Sequence, residues 1–299
     1  MRIGEMKKIL ITGANSYIGT SFERYMAQWP ELYQVDTVDM VDGSWREKSF
    51  AGYNSVFHVA GIAHQDSGKI TEERKNLYFK VNTDLTVETA AKAKADGVPQ
   101  FIFMSSIIVY GASAKMGETK VITKDTKPTP AGAYGESKLR AEEGILPLSN
   151  DTFHVCVLRP PMIYGPGCKG NYPVLAMAAL KLPFFPEIKN ERSMLYVGNL
   201  CAFIKAAADG RLSGLFFPQN EEYVDTSDMV RQIALAHGKK IRLTGLFNPL
   251  LRLLSGKVGV VDKVFGGLAY DLALPGRRNF KPTVSFSESI QATEGRHSV

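Results

Sequence analysis

The sequence predicts an α/β fold: a doubly wound parallel sheet followed by a smaller C-terminal substrate-binding lobe. Three observations carry that prediction. Short apolar runs alternate with helix-period segments along most of the chain, the pattern of parallel strands joined by crossover helices. A glycine-containing turn (Gly13, Ser16, Gly19) joins the first apolar run to the first helical one. Further on, Tyr134 and Lys138 stand four residues apart, which is one turn of helix and puts both side chains on one face.

Lys7 to Thr12 reads as a short buried strand, charged at its start and apolar after it. The helix that follows the glycine turn is marked by Ile18, Phe22, Tyr25 and Met26. Strand, glycine turn, helix is the order in which backbone N–H groups and a helix N-terminus can hold a pyrophosphate, here through Gly13, Asn15, Ser16, Tyr17, Ile18 and Gly19. Ser16 stands where a middle glycine is usual; it is small and can donate to a phosphate oxygen. A ligand-free structural turn is the alternative.

The second strand, Tyr33 to Asp39, ends in a carboxylate 20 residues after Gly19, where it can accept hydrogen bonds from an adenosine ribose. That charge repels a 2′-phosphate and so favours NAD; Arg46 and Lys48 close by keep NADP as the alternative. A third strand, Asn54 to Gly61, ends in Ala60 and Gly61, small enough to pass close beneath a ribose. His58 inside this apolar strand is expected to be a packed, hydrogen-bonded core residue rather than a catalyst. The fourth strand, Phe101 to Ser106, ends in two hydroxyls. Ser105 or Ser106 can hydrogen-bond the reacting oxygen of a sugar near Tyr134, or simply cap the next turn.

The Tyr–Lys pair states the chemistry. A phenol with its ordinary pKa near 10 is a poor base at neutral pH, and an ammonium beside it favours the phenolate. Lowering that pKa by about three units requires roughly 4 kcal/mol of differential interaction. Such a pair facing a nicotinamide can move a hydroxyl proton while the cofactor moves a hydride. Among the 12 tyrosines, Tyr134 alone has Lys at the fourth following position.

Together these residues resemble an extended short-chain dehydrogenase/reductase of the nucleotide-sugar epimerase/dehydratase family. Thr12 to Gly19, Asp39, His58 to Gly61, Ser105-Ser106 with Val109-Tyr110-Gly111, Tyr134 to Lys138 and Leu158-Arg159-Pro160 fall in that family's order, across roughly residues 7 to 220. The resemblance implies a Rossmann-type sheet, with Ser106, Tyr134 and Lys138 catalytic. It adds His58, Ala60, Gly61 and Pro160 to the cofactor contacts, and Ser105, Asn171 and Arg192 to those of a UDP-sugar. It also implies a homodimer formed through the helices near 72–96 and 134–146. Two departures narrow it. Ile107-Ile108 follow Ser106 where the family's dehydratases carry Asp-Glu, which argues against a 4,6-dehydratase. Met162 stands where an asparagine often follows the Arg-Pro strand, which puts one sugar or phosphate contact in question.

The implied activity is a UDP-hexose 4-epimerase, on UDP-glucose or a UDP-N-acetylhexosamine, acting through a transient 4-keto sugar. The competing activity is a 4-ketoreductase acting on a UDP-4-keto-6-deoxy sugar in surface polysaccharide biosynthesis. It is suggested by Gly165 to Asn171 and Arg192 to Val197, which resemble UDP-N-acetylquinovosamine-type reductases. A non-catalytic nucleotide-binding relative is the third reading, and retention of both Tyr134 and Lys138 argues against it.

Domain organisation follows the same pattern. Residues 1–168 are expected to form the NAD-binding domain, with sheet segments returning at about 190–218, and 169–299 mainly the substrate lobe. Helices are expected near 72–96, 134–146, 172–181, 199–209 and 226–237, and strands near 153–158, 194–197 and 214–217. Met1 to Glu5 reads as a leader before Met6. The 299 residues hold no apolar run long enough to span a bilayer and no signal-peptide pattern. Cys156, Cys168 and Cys201 are odd in number and lack metal spacing, which suits a reducing cytoplasm. Cys156 is expected in the core and Cys168 in a solvent-reachable loop.

Net charge is +6, yet no aromatic-and-basic nucleic-acid module is present, and a dianionic substrate accounts for some positive potential. The basic excess lies late, in Lys239, Lys240, Arg242, Arg252, Lys257, Lys263, Arg277 and Arg278 against only Asp262 and Asp271. Leu246 to Leu254 lies inside it. A helix packed on the lobe's own core is expected there, and contact with an anionic membrane surface, without stable insertion, is the alternative.

Overall fold

A computed structural model describes residues 6–62, 70–275 and 282–295. The leader at 1–5, Arg277, Arg278 and Lys281 lie outside them. In chain order, β1 (Lys7–Thr12), α1 (Tyr17–Met26), β2 (Tyr33–Val38) and β3 (Ser55–His58) come first. Then follow α2 (Glu72–Tyr78), a π-helical turn (Phe79–Asp84), α3 (Leu85–Ala95), β4 (Gln100–Met104) and β5 (Thr119–Ile122). The middle of the chain forms α4 (Gly132–Ile145), β6 (His154–Leu158), β7 (Met162–Tyr164), α5 (Asn171–Lys181), β8 (Phe184–Pro186), β9 (Met194–Tyr196), α6 (Val197–Gly210) and β10 (Gly214–Phe216). The last stretch holds α7 (Thr226–Ala236), β11 (Arg242–Thr244), α8 (Asn248–Leu254), α9 (Gly259–Phe265), β12 (Gly267–Tyr270) and α10 (Phe286–Thr293).

The chain divides into two compact units. The first comprises Met1–Gly111, Pro128–Pro160 and Cys201–Phe217. Its six parallel strands run in the order β10-β6-β4-β3-β1-β2. Strand order reverses beside β1, so a crevice opens beyond the carboxyl ends of β1 and β3, the place where open α/β sheets bind ligands. The strands are apolar because both faces are covered. Leu10, Val56, Phe101, Phe103, Val155 and Val157 pack with Ala90 and Ala93 of α3 and Ala141 and Ile145 of α4.

Two expectations about this unit are corrected. The strand near 194–197 does not continue the sheet: β9 pairs in parallel with β7 in the second unit, and the returning segment is Cys201–Phe217. Three apolar residues carry no local signal that selects one partner edge over another. The helix near 72–96 is interrupted by the π turn at Phe79–Asp84, which widens the helix and turns Asn82 into the interior.

The second unit comprises Ala112–Lys127, Pro161–Leu200 and Pro218–Val299. It therefore takes in 112–127 and 161–168, which the sequence reading placed in the first domain. Its strands form three parallel pairs, β5 with β12, β7 with β9 and β8 with β11. A polar cluster ties its last helix down. Glu294 accepts from the Tyr172 hydroxyl at 2.7 Å and pairs with His237 Nε2 at 2.7 Å, while Tyr172 stacks on Tyr164 at 5.5 Å. Cys168 is buried here rather than solvent-reachable. The larger surprise is α8, none of whose residues is buried.

Candidate active site

A cleft of about 840 Å³ lies at the carboxyl ends of β1 and β3, lined among others by Gly13, Asn15, Ser16, Asp39, Ala60 and Gly61. That volume is the size of a large ligand pocket. Its floor is backbone. A Cβ on Gly13, whose φ is +117°, would stand 2.6 Å from Ala60 N, so only glycine lets the turn and the β3 end meet this closely. Asn15 adopts the left-handed conformation (φ 62°) that asparagine tolerates. Ser16 is the N-cap of α1, its Oγ accepting from Gly19 N at 3.1 Å. Tyr17, Ile18 and Gly19 form the first turn of α1, whose leading amides have no acceptor within the helix. Gly19 also keeps α1 close to the sheet, since a Cβ there would meet Ile11 and Val59 side chains at 3.2 Å.

Asp39 is exposed at the cleft edge, one oxygen accepting from Val41 N at 2.8 Å. Arg46, the residue that kept NADP open, lines the same cleft but forms a two-pronged ion pair with Glu88, which also lines it. The cleft rim thus offers carboxylates, Asp39 among them, while its arginine is paired with Glu88.

Beyond β4, Ser106 has extended backbone and caps a 3₁₀ turn at Ile107–Tyr110, accepting from Ile108 N at 3.3 Å. Its hydroxyl also hydrogen-bonds the phenol of Tyr134, near the start of α4. Tyr134 packs against the buried ring of Tyr78, centroids 6.0 Å apart. One turn later Lys138 is buried; its Nζ donates to Met104 O at 2.9 Å and lies 4.8 Å from the Phe103 ring centre. A Cβ on Gly61, which lines the cleft, would come within 3.3 Å of that ammonium, so Lys138 lies directly behind this part of the cleft wall.

The electrostatics differ from the expected lowering of the phenol pKa. Burial pushes the Tyr134 phenol up to about 12, only partly opposed by the Ser106 hydrogen bond. Burial also brings Lys138 down to about 8, with Glu142 pulling the other way. The ammonium is held by a main-chain carbonyl, and the raised phenol pKa favours the protonated form of Tyr134.

Around this site lies a frame the sequence reading did not identify. The Asn82 carboxamide accepts from Ile62 N at 2.9 Å and donates to Ile62 O and Ser137 Oγ, both at 3.1 Å, joining the π turn, the β3 exit and α4. Glu142 forms a buried ion pair with Arg159, which also donates to the Tyr110 hydroxyl at 2.6 Å. Three residues expected at ligands are engaged by this frame. Ser105 is buried and donates to Glu142. Pro160 is buried and its carbonyl accepts from Ile107 N at 2.9 Å. The His58 ring is fully buried and bonded on both nitrogens, to Thr12 Oγ1 at 2.7 Å and Thr86 Oγ1 at 3.0 Å. Burial lowers its pKa to about 3, so the ring is a neutral core group.

Within the second unit, Asn171 at the start of α5 and Arg192 line a smaller cleft of about 240 Å³ with Lys263 and Met162. Arg192 Nη1 donates to the carbonyls of Lys263 at 2.8 Å and of Val264 and Gly266 at 3.2 Å each. Its partners there are carbonyls, so its full positive charge is retained. An anion is the complementary ligand.

Comparison with known proteins accords with this arrangement. The profile of the NAD dependent epimerase/dehydratase family matches residues 9–214. The chain belongs to that family. Among relatives of this epimerase/dehydratase, a UDP-glucose 4-epimerase of Vibrio cholerae is 29% identical, covering 96% of this chain and 94% of its own. An N-acetyl-α-D-glucosaminyl-diphospho-ditrans,octacis-undecaprenol 4-epimerase of Escherichia coli O157:H7 is 28% identical over 86% of this chain and 81% of its own. The fold is shared with MoeE5 in complex with UDP-glucose and NAD (TM-score 0.71, 18% identity, 96% and 97% covered). It is shared equally with UDP-glucuronic acid 4-epimerase from Bacillus cereus in complex with NAD (TM-score 0.73, 17% identity, 96% of each chain).

The residues missed in this family member differ in how much sign they gave. Asn82 sits in a helix whose period the π turn breaks, so periodicity hid it. Arg159 is a charge between apolar neighbours, which is itself a signal of a buried pair, whereas Glu142, beside Glu143, carries no such mark.

Proposed function

We propose that the protein is an NAD-dependent 4-epimerase of a UDP-hexose, with UDP-glucose or a UDP-N-acetylhexosamine as substrate. The observation that carries this reading is the constellation Ser106–Tyr134–Lys138 beside a cleft whose rim offers the Asp39 carboxylate and an arginine tied to Glu88. Gly13, Asn15, Ser16 and the first turn of α1 hold the pyrophosphate of the dinucleotide, Asp39 its adenosine ribose, and Lys138 its nicotinamide ribose. When bound, NAD+ supplies a hydride acceptor that can return what it took.

The protein's own part is proton movement and positioning. Tyr134 accepts the C4 hydroxyl proton and gives it back after the sugar ring has turned. Ser106 hydrogen-bonds the same oxygen and the phenol, so the proton path stays short in both directions. Lys138, one helical turn from Tyr134, would hold the nicotinamide ribose, and its positive charge beside the phenol would favour the phenolate. Asn171 and Arg192 bind the UDP phosphates.

Names of the relatives above support epimerase over reductase, and Ile107-Ile108 withholds the acid pair a dehydratase needs. The assembly proposed is a homodimer through α3 and α4, active in the cytoplasm in polysaccharide biosynthesis. Three buried, unpaired thiols suit that compartment. The direct test is incubation with UDP-glucose and UDP-N-acetylglucosamine without reductant. The C4 epimer is expected, while product formed only in step with NAD(P)H consumption returns the assignment to the 4-ketoreductase.

A further inference from the structure

The second unit presents an apolar surface that nothing in the chemistry above uses. Helix α8 turns Asn248, Leu251 and Leu254 partly inward and offers Pro249, Leu250, Arg252 and Leu253 to solvent. Leu250 is 59% exposed and Leu253 64%, with Leu246 (79%) on the turn before and Val260 (62%) on the helix after. Leu250 and Leu253, three residues apart within α8, share one helix face. Four aliphatic side chains this exposed on adjoining elements form a patch, not scattered surface residues.

The segment is held firmly in this pose. Asp262 accepts from Met116 N at 2.9 Å, Ser255 Oγ at 2.6 Å and Gly256 N at 2.7 Å, stapling the turn between α8 and α9 to residue 116. Asn248 Nδ2 donates to Glu187 O at 2.9 Å at the other end of α8. The exposure of the leucines is therefore built into the unit.

Charge identifies what covers them. Between Lys239 and Lys263 the chain carries Lys239, Lys240, Arg242, Arg252, Lys257 and Lys263, and its only acid is Asp262. That carboxylate is spent on three hydrogen bonds, with Lys115 as its nearest opposing charge. Arg252 lies on the outward sector between Leu250 and Leu253, and Lys257 is exposed two residues after the α8 turn. Outward leucines flanked by cations are the composition of a helix that lies in a lipid interface, apolar side among acyl chains and basic side chains at anionic headgroups. Among the described residues no helix is long and apolar enough to cross a membrane.

We propose that the α8–α9 segment docks the protein peripherally on an anionic lipid surface. Val260 and Lys263 also line the cleft of Asn171 and Arg192, so docking sets that cleft at the lipid headgroups. The residues that carry the proposal, Leu250, Arg252, Leu253 and Lys257, line neither cleft, so its test does not depend on the substrate reading.

The test is flotation of the full chain with vesicles of phosphatidylcholine alone or of equal parts phosphatidylcholine and phosphatidylglycerol. Binding is expected on the anionic vesicles only, and to fall at least tenfold as salt approaches about 1 M. Leu250→Gln with Leu253→Gln should abolish it, and Arg252→Gln with Lys257→Gln should lower it at least tenfold, with thermal unfolding unchanged for both. No flotation of the native chain on anionic vesicles at low salt overturns the proposal, as does flotation unaffected by both pairs of substitutions. Light scattering decides against a rival occupant: if the leucine variant dissociates an assembly of this chain while flotation persists, the face belongs to a second copy and the proposal fails.

Discussion

Replacing Tyr134 by Phe removes the phenol hydroxyl and keeps the ring against Tyr78, so kcat is expected to fall by roughly 10² to 10⁴ with little change in bound NAD. Steady-state rates beside cofactor content per protein check this; near-normal turnover would remove Tyr134 from the reaction. The same residue carries a pH expectation. Without ligand its phenol is held up to about 12, so the near-ultraviolet phenolate signal lost in Tyr134→Phe should be silent at neutral pH and emerge only at strongly alkaline pH. Adding NAD should move that signal to lower pH. No movement would contradict the role given to Lys138. His58 is the counter-case. His58→Ala removes the ring's hydrogen bonds to the Thr12 and Thr86 hydroxyls, the latter keeping its bond to Asn82 O, and opens a cavity, at a cost of about 2–4 kcal/mol of stability, while kcat should stay within a few-fold. Its folded pKa of about 3 lies below the unfolded value near 6.5, so the native chain loses stability as pH falls through that window. Denaturant melts at pH 7 and pH 5 should show a smaller acid loss in the variant than in the parent.

At the scale of elements, β4, β6 and α4 are joined by a buried pair whose energetics are separable. Arg159→Met leaves the Glu142 carboxylate buried without its partner and should cost about 3–5 kcal/mol. The double substitution Arg159→Met with Glu142→Met removes both charges and should recover much of that loss, measured by denaturant unfolding. A double variant no more stable than the single one would show that hydrogen bonding to Ser105 and Tyr110, not charge, dominates the cluster. The elements also show where sequence reasoning reaches. β1, α1, β2 and β3 were legible because strand, glycine turn and helix each leave a local pattern, and the Gly13–Ala60 approach turned that pattern into a cleft. The π turn and the β7–β9 pairing were not, since a one-residue widening of a helix and the partner of a three-residue strand are decided by tertiary contacts. Helix α8 was misjudged for a different reason. Its apolar residues look like core positions, and only the observed pose shows that Leu250 and Leu253 face outward.

For the whole molecule, the first unit carries the glycine-floored cleft and the Tyr–Lys pair, and the second carries a smaller cleft lined by Arg192 and Lys263. The placing of Tyr134 and Lys138 in one helical turn was legible from their spacing. The engagement of Ser105 with Glu142 was not, because a buried hydrogen bond and a ligand contact call for the same hydroxyl. The central claim is reversible 4-epimerisation in which hydrogen leaves C4 and comes back to it. UDP-glucose deuterated at C4 tests it most directly, with the product followed by NMR in protonated buffer without reductant. The account predicts a C4 epimer that retains deuterium at C4. An epimer carrying solvent hydrogen there, or no epimer from this or any common UDP-hexose, would contradict it.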